Sequence, residues 1–157
     1  MRDIVLRPAT RLPPPLIYAL VLFSAWRLDR IWPWSLPGAT SELFGYIAWS
    51  LIGLGIVGFT WALGSIWQHR TTVNPYKGAS TLVTSGPFAF SRNPIYLFDW
   101  LVYAGVTMLL RSVWPLLLAP AVWALMRYAV IAHEENHLRA KFGEVYIAYQ
   151  ARVRRWL

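Results

Sequence analysis

Long apolar stretches separated by short polar ones dominate the pattern of this chain. The clearest stretch, residues 43–67, holds 25 residues without a charge, which is enough for a helix to cross a bilayer. Three further apolar stretches occupy about 13–30, 94–110 and 114–133, and only three residues separate the last two. The pattern predicts an all-α, integral-membrane helical bundle with about four transmembrane helices, the third and fourth forming a tight antiparallel hairpin.

The segment after the fourth stretch, residues 134–157, has the periodicity of an amphipathic helix. Apolar and aromatic side chains recur every three or four positions on one face, at Phe142, Tyr146, Tyr149, Val153 and Trp156. The opposite face carries charged residues, including Lys141, Glu144, Arg152 and Arg155. We expect a C-terminal amphipathic cytoplasmic helix that lies on the membrane or covers a site. The length fits one domain, 1–157.

Composition and charge support a membrane protein. Hydrophobic residues make up 57% and charged residues 14%, which excludes an ordinary soluble domain. The net charge of +8 would suit nucleic acid, but the basic residues flank the apolar stretches, so we predict membrane lipids as partners and no nucleic acid. Eleven of the fifteen Lys and Arg residues fall in the N-terminal arm, the 68–94 loop and the tail, which places both termini in the cytoplasm.

Ionisable residues inside the third and fourth stretches form two facing stripes. Arg92, Tyr96 and Asp99 follow i, i+4, i+7 spacing, and Arg127 and Glu134 are seven residues apart on the next helix. In a regular antiparallel hairpin, Asp99 lies level with Arg127, and Arg92 lies level with Glu134. Buried unpaired charges are costly, so we expect these groups to pair. The Asp99–Arg127 pair either fixes the helix register or serves a site.

A pocket lined by an arginine, adjacent carboxylates and tyrosines suits a zwitterionic ligand that also carries an aromatic ring. Arginine binds a carboxylate with two hydrogen bonds, and glutamate accepts hydrogen bonds from an ammonium group. Tyrosine rings stack on a base or contact a cation. S-adenosylmethionine has all of these parts, although the side chains alone do not single it out.

Two segments carry a family resemblance. "LVTSGPFAFSRNPIYL" and, about 40 residues later, "EENHLRAKFGEVYIAYQARVRRWL" resemble the integral-membrane methyltransferases of isoprenylcysteine carboxyl methyltransferase and phospholipid methyltransferase type, over roughly 71–157. The resemblance implies an enzyme that binds S-adenosylmethionine between the cytoplasmic ends of the last two spans and the tail. It implies these cofactor-binding residues: Arg92, Asn93, Pro94, Tyr96, Glu134, Glu135, Tyr146 and Tyr149.

Two positions depart from the family pattern. Asn93 stands where many members have histidine, and Phe98 stands where they have glycine. Asn93 still forms hydrogen bonds but does not titrate, while Phe98 either narrows the approach of the cofactor or faces lipid. The Arg-Asn-Pro form resembles a bacterial branch, so we expect the cytoplasmic (inner) membrane of a bacterium.

A competing motif lies in the same place. "HEENH" at 133–137 matches the His-Glu-x-x-His zinc protease signature, with His133 and His137 on one helical face and Glu134 as base. Zinc needs a third protein ligand, and His69, Asp99 and Glu144 offer no obvious geometry. We predict no metal site and keep the zinc protease as a minor alternative.

The leading hypothesis is S-adenosylmethionine-dependent methyl transfer to a lipidic or small, membrane-partitioning acceptor that carries a carboxylate, thiol or amine. Arg127 and Asp99 are the catalytic candidates. Arg127 lies deeper than Glu134 and would steer an anionic acceptor, whereas Asp99 either neutralises Arg127 or, like Glu134, serves as a base for an amine.

The alternative is a non-catalytic membrane scaffold or lipid-binding protein on the same fold. The sequence does not determine the oligomeric state or the acceptor.

Overall fold

The computed structural model describes residues 13–38, 40–69 and 81–157. This part of the chain is almost entirely helical and contains no regular strand, which confirms the all-α prediction. The α-helices are α1 Pro14–Ile31, α2 Glu42–Gln68, α3 Pro94–Leu110, α4 Trp114–Leu125, α5 Ala132–Phe142 and α6 Glu144–Arg152. A π-helical segment, Met126–Ile131, joins α4 to α5, so residues 114–142 form one continuous helical path.

Two of these helices are long and apolar enough to cross a membrane: α2, with 27 residues, and the continuous helix Trp114–Phe142, with 29. Helix α3 is apolar but has only 17 residues, and the end of α1 carries Arg27, Asp29 and Arg30. Membrane crossing by α1 and α3 stays a prediction. The basic N-terminal arm and part of the 68–94 loop lie outside the described residues, so the orientation of the chain also stays a prediction.

The tail differs from the single amphipathic helix that its periodicity predicts. Residues 134–142 extend the preceding helix, and the chain turns at Gly143, whose φ of 52° is a left-handed value that glycine adopts without strain. Helix α6 then runs to Arg152, and residues 153–157 follow it without helical structure. The turn at Gly143 allows these last residues, here named the C-terminal strap, to return toward the start of α3.

Helices α2 and α3 pack closely because small residues face the contact. An added Cβ on Gly55 would come within 2.6 Å of the Val102 side chain, and one on Gly58 would overlap the Phe98 ring. Phe98, which departs from the family glycine, therefore packs on α2. This packing corrects the expectation that Phe98 simply faces lipid, while its effect on the approach of the cofactor stays a prediction.

The third and fourth predicted spans meet at their ends rather than along their length. The Tyr103 hydroxyl donates to the Pro115 carbonyl at 2.7 Å near the turn, and the Tyr96 hydroxyl donates to Glu134 at 2.8 Å at the opposite end. Between these contacts α3 packs mainly against α2, and α4 packs mainly against α1. The tight side-by-side hairpin is therefore corrected: α1 fills the space between its two helices. The shared apolar core comprises Ile17, Tyr18, Tyr96, Tyr103, Val122, Met126, Val130 and Ile131.

Candidate functional site

The C-terminal strap crosses the residues that precede α3. The backbone N–H of Arg92 donates to the Arg154 carbonyl at 2.9 Å, and the Asn93 side-chain amide donates to the Arg155 carbonyl at 3.0 Å. Pro94 follows as the first residue of α3, where its missing N–H costs no helical hydrogen bond. Asn93 thus holds the strap in place through an amide N–H, a contact that involves no titrating group.

Glu135 is the charged centre of the site. It lies on α5 and is only 6% exposed. Arg155 donates to both of its carboxylate oxygens, from Nε to Oε1 at 3.0 Å and from Nη2 to Oε2 at 2.5 Å. Nη1 of Arg92 lies 3.4 Å from the same Oε1. Two guanidinium groups therefore share one buried carboxylate, and this pairing offsets the desolvation cost of the charge.

The neighbouring carboxylate faces another helix. Glu134 Oε2 accepts the hydrogen bond from Tyr96, so the two adjacent glutamates connect α5 to α3 and to the strap. The prediction that Arg92 lies level with Glu134 is corrected, because Arg92 contacts Glu135. The π segment explains the difference, since its i→i+5 hydrogen bonding takes up about one extra residue and shifts the following positions by that amount.

Two tyrosines of α6 complete this end of the bundle. The Tyr149 hydroxyl donates to the Phe88 carbonyl at 2.6 Å, which ties α6 to the segment before α3. Tyr146 is fully buried beside it, with ring centroids 6.0 Å apart. Burial and the nearby Glu135 carboxylate raise the pKa of Tyr146 to about 12, so its phenol stays protonated at neutral pH.

Several buried polar atoms at this end have no hydrogen-bond partner within the described ranges. They include Nε of Arg92 and Nε1 of Trp156. Buried polar groups in native proteins almost always have a partner, which is protein, water or ligand. These donors therefore mark a position where water or a polar ligand would complete the hydrogen bonding.

Asp99 and Arg127 do not form the expected ion pair. Their side chains make no contact within salt-bridge distance, and the Arg127 guanidinium lies over the rings of Trp123 and Tyr128, at 5.0 and 5.6 Å from the centroids. Arg127 belongs to the π segment, where the spacing of an ordinary helix no longer predicts which side chains share a face. Oδ2 of Asp99 is buried and unpartnered among the described residues.

An aromatic cluster next to Asp99 was not foreseen from the sequence. The rings of Tyr18 and Trp100 meet edge to face at 5.5 Å, and Trp100 and Tyr103 meet at 5.1 Å. The Tyr18 hydroxyl and the Trp100 indole N–H are buried without a partner in the part of the chain that the structure describes. Tyr18 comes from α1, and only the packing of α1 against α3 brings it here.

Arg155 was also missed, because the sequence pattern places it on the charged face of one long tail helix. The helix ends at Arg152, and the strap turns Arg155 toward Glu135. Arg152 and Arg154 lie close to it in "RVRRWL", and the sequence does not indicate which of these three arginines pairs with a buried carboxylate.

The His-Glu-x-x-His residues do not assemble a metal centre with other described side chains. No three of the described His, Asp and Glu residues come close enough to hold a metal ion. Glu134, which the protease interpretation needs as a base, is hydrogen-bonded to Tyr96. His69 instead contacts the Ser65 carbonyl at 2.7 Å in the last turn of α2.

Comparison with known proteins identifies the family. A family model described as "Phospholipid methyltransferase" matches residues 44–145, well over half of the chain. The cobalt-zinc-cadmium resistance protein CzcN of Cupriavidus metallidurans is 32% identical over 112 residues, which cover 66% of this chain and 51% of that protein. The nickel-cobalt-cadmium resistance protein NccN of Alcaligenes xylosoxydans xylosoxydans is 27% identical over 147 residues, 90% of this chain and 68% of that protein.

The chain spans about half the length of CzcN and about two thirds of the length of NccN. The matched segment contains α3, the π segment and α5. It also includes both residues of the Arg92–Glu135 contact. The chain belongs to the phospholipid methyltransferase family.

Proposed function

We propose that this chain transfers a methyl group from S-adenosylmethionine to a lipidic or small, membrane-partitioning acceptor. The observation that carries the proposal is the arrangement around Glu135: a buried carboxylate, a guanidinium with an unsatisfied Nε, and a second carboxylate one residue away. Family membership supports methyl transfer in general. The identity of the donor and the kind of acceptor are the parts that we add.

The residues present fit the amino-acid end of S-adenosylmethionine. Arg92 would hold the ligand carboxylate through its unpartnered Nε, as guanidinium groups do in bidentate pairs. Glu135, with Glu134 beside it, would accept hydrogen bonds from the ligand ammonium group. When bound, the cofactor supplies an electrophilic methyl group on its sulfonium.

The chain's own contribution would be orientation and the exclusion of water. Tyr146 and Tyr149 are buried, and Tyr149 ties α6 to the segment before α3. These contacts would hold the donor at a fixed angle and keep water from its reactive centre. Tyr96 would fix the Glu134 carboxylate through its hydrogen bond.

The acceptor would lie deeper, beside Asp99. Asp99 follows Tyr96 by three residues, roughly 4.5 Å along the helix axis. Its unpartnered oxygen, together with the Tyr18 hydroxyl and the Trp100 indole N–H, offers one acceptor and two donors to a polar headgroup. For an amine acceptor, Asp99 would take the proton that must leave the nitrogen. Arg127 remains the second candidate, because its Nε is also buried without a described partner.

A non-catalytic membrane protein on the same fold is the second candidate function. The names of both relatives describe resistance to metals and not a methyl transfer. A binding or scaffolding role in metal resistance is consistent with those names. It predicts that S-adenosylhomocysteine, the product form of the cofactor, does not bind.

Calorimetric titration of the detergent-purified protein with S-adenosylhomocysteine separates these proposals. Wild type should bind saturably, and Arg92→Ala should weaken binding by about 1.5–3 kcal/mol, the range for charged hydrogen bonds. Arg139→Ala is the matched control, since Arg139 is an exposed residue of α5 whose guanidinium donates to Gln150 and not to Glu135. Absence of binding to wild type, with zinc, cobalt or nickel bound instead, would favour the metal-linked role.

A further inference from the structure

The strongest polar contact of the site comes from a residue outside every helix. Arg155 lies in the C-terminal strap, and its Nε and Nη2 donate to the two oxygens of Glu135 at 3.0 and 2.5 Å. This fork-to-fork geometry fixes both the position and the plane of a carboxylate, which a single hydrogen bond does not. Arg155 itself is partly exposed, whereas Glu135 is buried, so the orienting effect acts on the glutamate.

The strap is held at this point by more than the ion pair. Its carbonyl groups at Arg154 and Arg155 accept hydrogen bonds from Arg92 and Asn93. The Arg155 side chain therefore approaches Glu135 from a fixed backbone. An arginine on a flexible end would lose backbone entropy as well as side-chain entropy on pairing, whereas one on an anchored backbone loses only the latter.

The hydrogen-bonding capacity of Glu135 leaves room for a ligand. A carboxylate offers about four lone-pair sites. Arg155 uses two of them and the longer Arg92 contact uses one, which leaves about one directed elsewhere. Nε of Arg92 is also unused by the described side chains. One acceptor and one donor thus remain close together, as a ligand with an ammonium and a carboxylate requires.

Building on the proposed function, we infer that Arg155 is a positioning residue of the cofactor site and that it acts through Glu135. It holds the Glu135 carboxylate in the orientation that receives the ammonium group of an α-amino acid ligand. Loss of Arg155 leaves Glu135 tethered only by the longer contact to Arg92, free to rotate or to draw Arg92 away from the ligand carboxylate.

The test compares two ligands that differ only where Glu135 acts. S-adenosylhomocysteine carries the α-amino acid end, and 5′-methylthioadenosine lacks it. Arg155→Gln should weaken the calorimetric affinity for S-adenosylhomocysteine about tenfold, as expected for lost charged hydrogen bonds, and leave that for 5′-methylthioadenosine within about twofold. Arg155→Lys should restore part of the loss, because it returns the charge without the fork. Arg152→Gln, at the exposed end of α6, is the control and should change neither affinity.

A double-mutant cycle gives an independent answer. If Arg155 acts through Glu135, Arg155→Gln should cause less than about a twofold further loss in a Glu135→Gln background. Equal losses for both ligands, additive losses in the cycle, or tighter binding of S-adenosylhomocysteine by Arg155→Gln would each overturn the inference. Failure of wild type to bind S-adenosylhomocysteine would instead reject the proposed function, so the two failures are distinguishable.

Discussion

The Tyr96 hydroxyl donates a 2.8 Å hydrogen bond to Glu134, and this contact joins α3 to α5 across the end of the bundle. Tyr96 is buried, and Glu135, the next residue after Glu134, faces the strap instead. Two successive carboxylates on one helix therefore anchor two different parts of the chain. The position of α5 therefore sets where both carboxylates of the site lie.

Removing the Tyr96 hydroxyl tests this anchor. Tyr96→Phe keeps the ring but leaves the Glu134 oxygen without its donor, so we expect a loss of about 1–3 kcal/mol in the free energy of unfolding. Thermal unfolding in detergent, followed by circular dichroism, measures it. Tyr128→Phe is the control, because Tyr128 is 64% exposed and should tolerate the change. An unchanged midpoint for Tyr96→Phe would show that the contact does not stabilise the fold.

The α2–α3 contact makes a second prediction. Gly58→Ala places a methyl group against the Phe98 ring, and the overlap should destabilise the protein by about 1–3 kcal/mol. Gly53→Ala, on the same helix with open space around it, should be neutral or slightly stabilising, because alanine favours helix over glycine. In a Phe98→Ala background, where no ring meets the added methyl group, Gly58→Ala should cost less than it does in wild type. Equal melting temperatures for Gly58→Ala and Gly53→Ala would contradict this packing.

The separation of Asp99 from Arg127 makes a third prediction. Because the two side chains do not pair, Asp99→Asn and Arg127→Ala should have additive effects on unfolding, within about 0.5 kcal/mol. A coupling of several kcal/mol, as for a buried ion pair, would contradict the observed geometry. Chemical denaturation of both single variants and the double variant supplies the cycle.

The proposed acceptor role of Asp99 makes a fourth prediction. Asp99→Asn should keep the affinity for S-adenosylhomocysteine within about twofold, while transfer of labelled methyl to a total membrane lipid extract falls by a factor on the order of 100 or more, as for loss of a general base. Glu144→Gln removes an exposed carboxylate and serves as the control. Full turnover by Asp99→Asn would exclude the role, and a matching loss in Arg127→Ala alone would move it to Arg127.

The sequence predicted the neighbourhood of the site better than its contacts. The motif residues from Arg92 to Tyr149 do lie close together. They come from the start of α3, from α5 and from α6, and these three parts of the chain meet at one end of the bundle. The pairing within them was shifted by one position, since a π segment has no clear signature in "MRYAVI". Tyr18 and Arg155 were not predicted, because each reaches the site through long-range packing of α1 or of the strap.

The extent of each element was predictable where hydrophobicity alone determines it. The uncharged stretch at 43–67 corresponds to α2, and 94–110 corresponds to α3. The insertion of α1 between α3 and α4 was not predictable, because a three-residue turn says only that two helices are joined at their ends. The bend at Gly143 was missed because an amphipathic period continues across it.

The central claim is methyl transfer at the Glu135 site, and incorporation of label tests it most directly. Purified protein is incubated with methyl-labelled S-adenosylmethionine and a total membrane lipid extract, and label in the organic phase is counted for wild type and Glu135→Gln. We predict time-dependent incorporation by wild type and a reduction on the order of 10-fold or more in the variant at subsaturating donor, from loss of a charged contact. No incorporation by a wild type that binds S-adenosylhomocysteine, or equal incorporation by both proteins, would contradict the account.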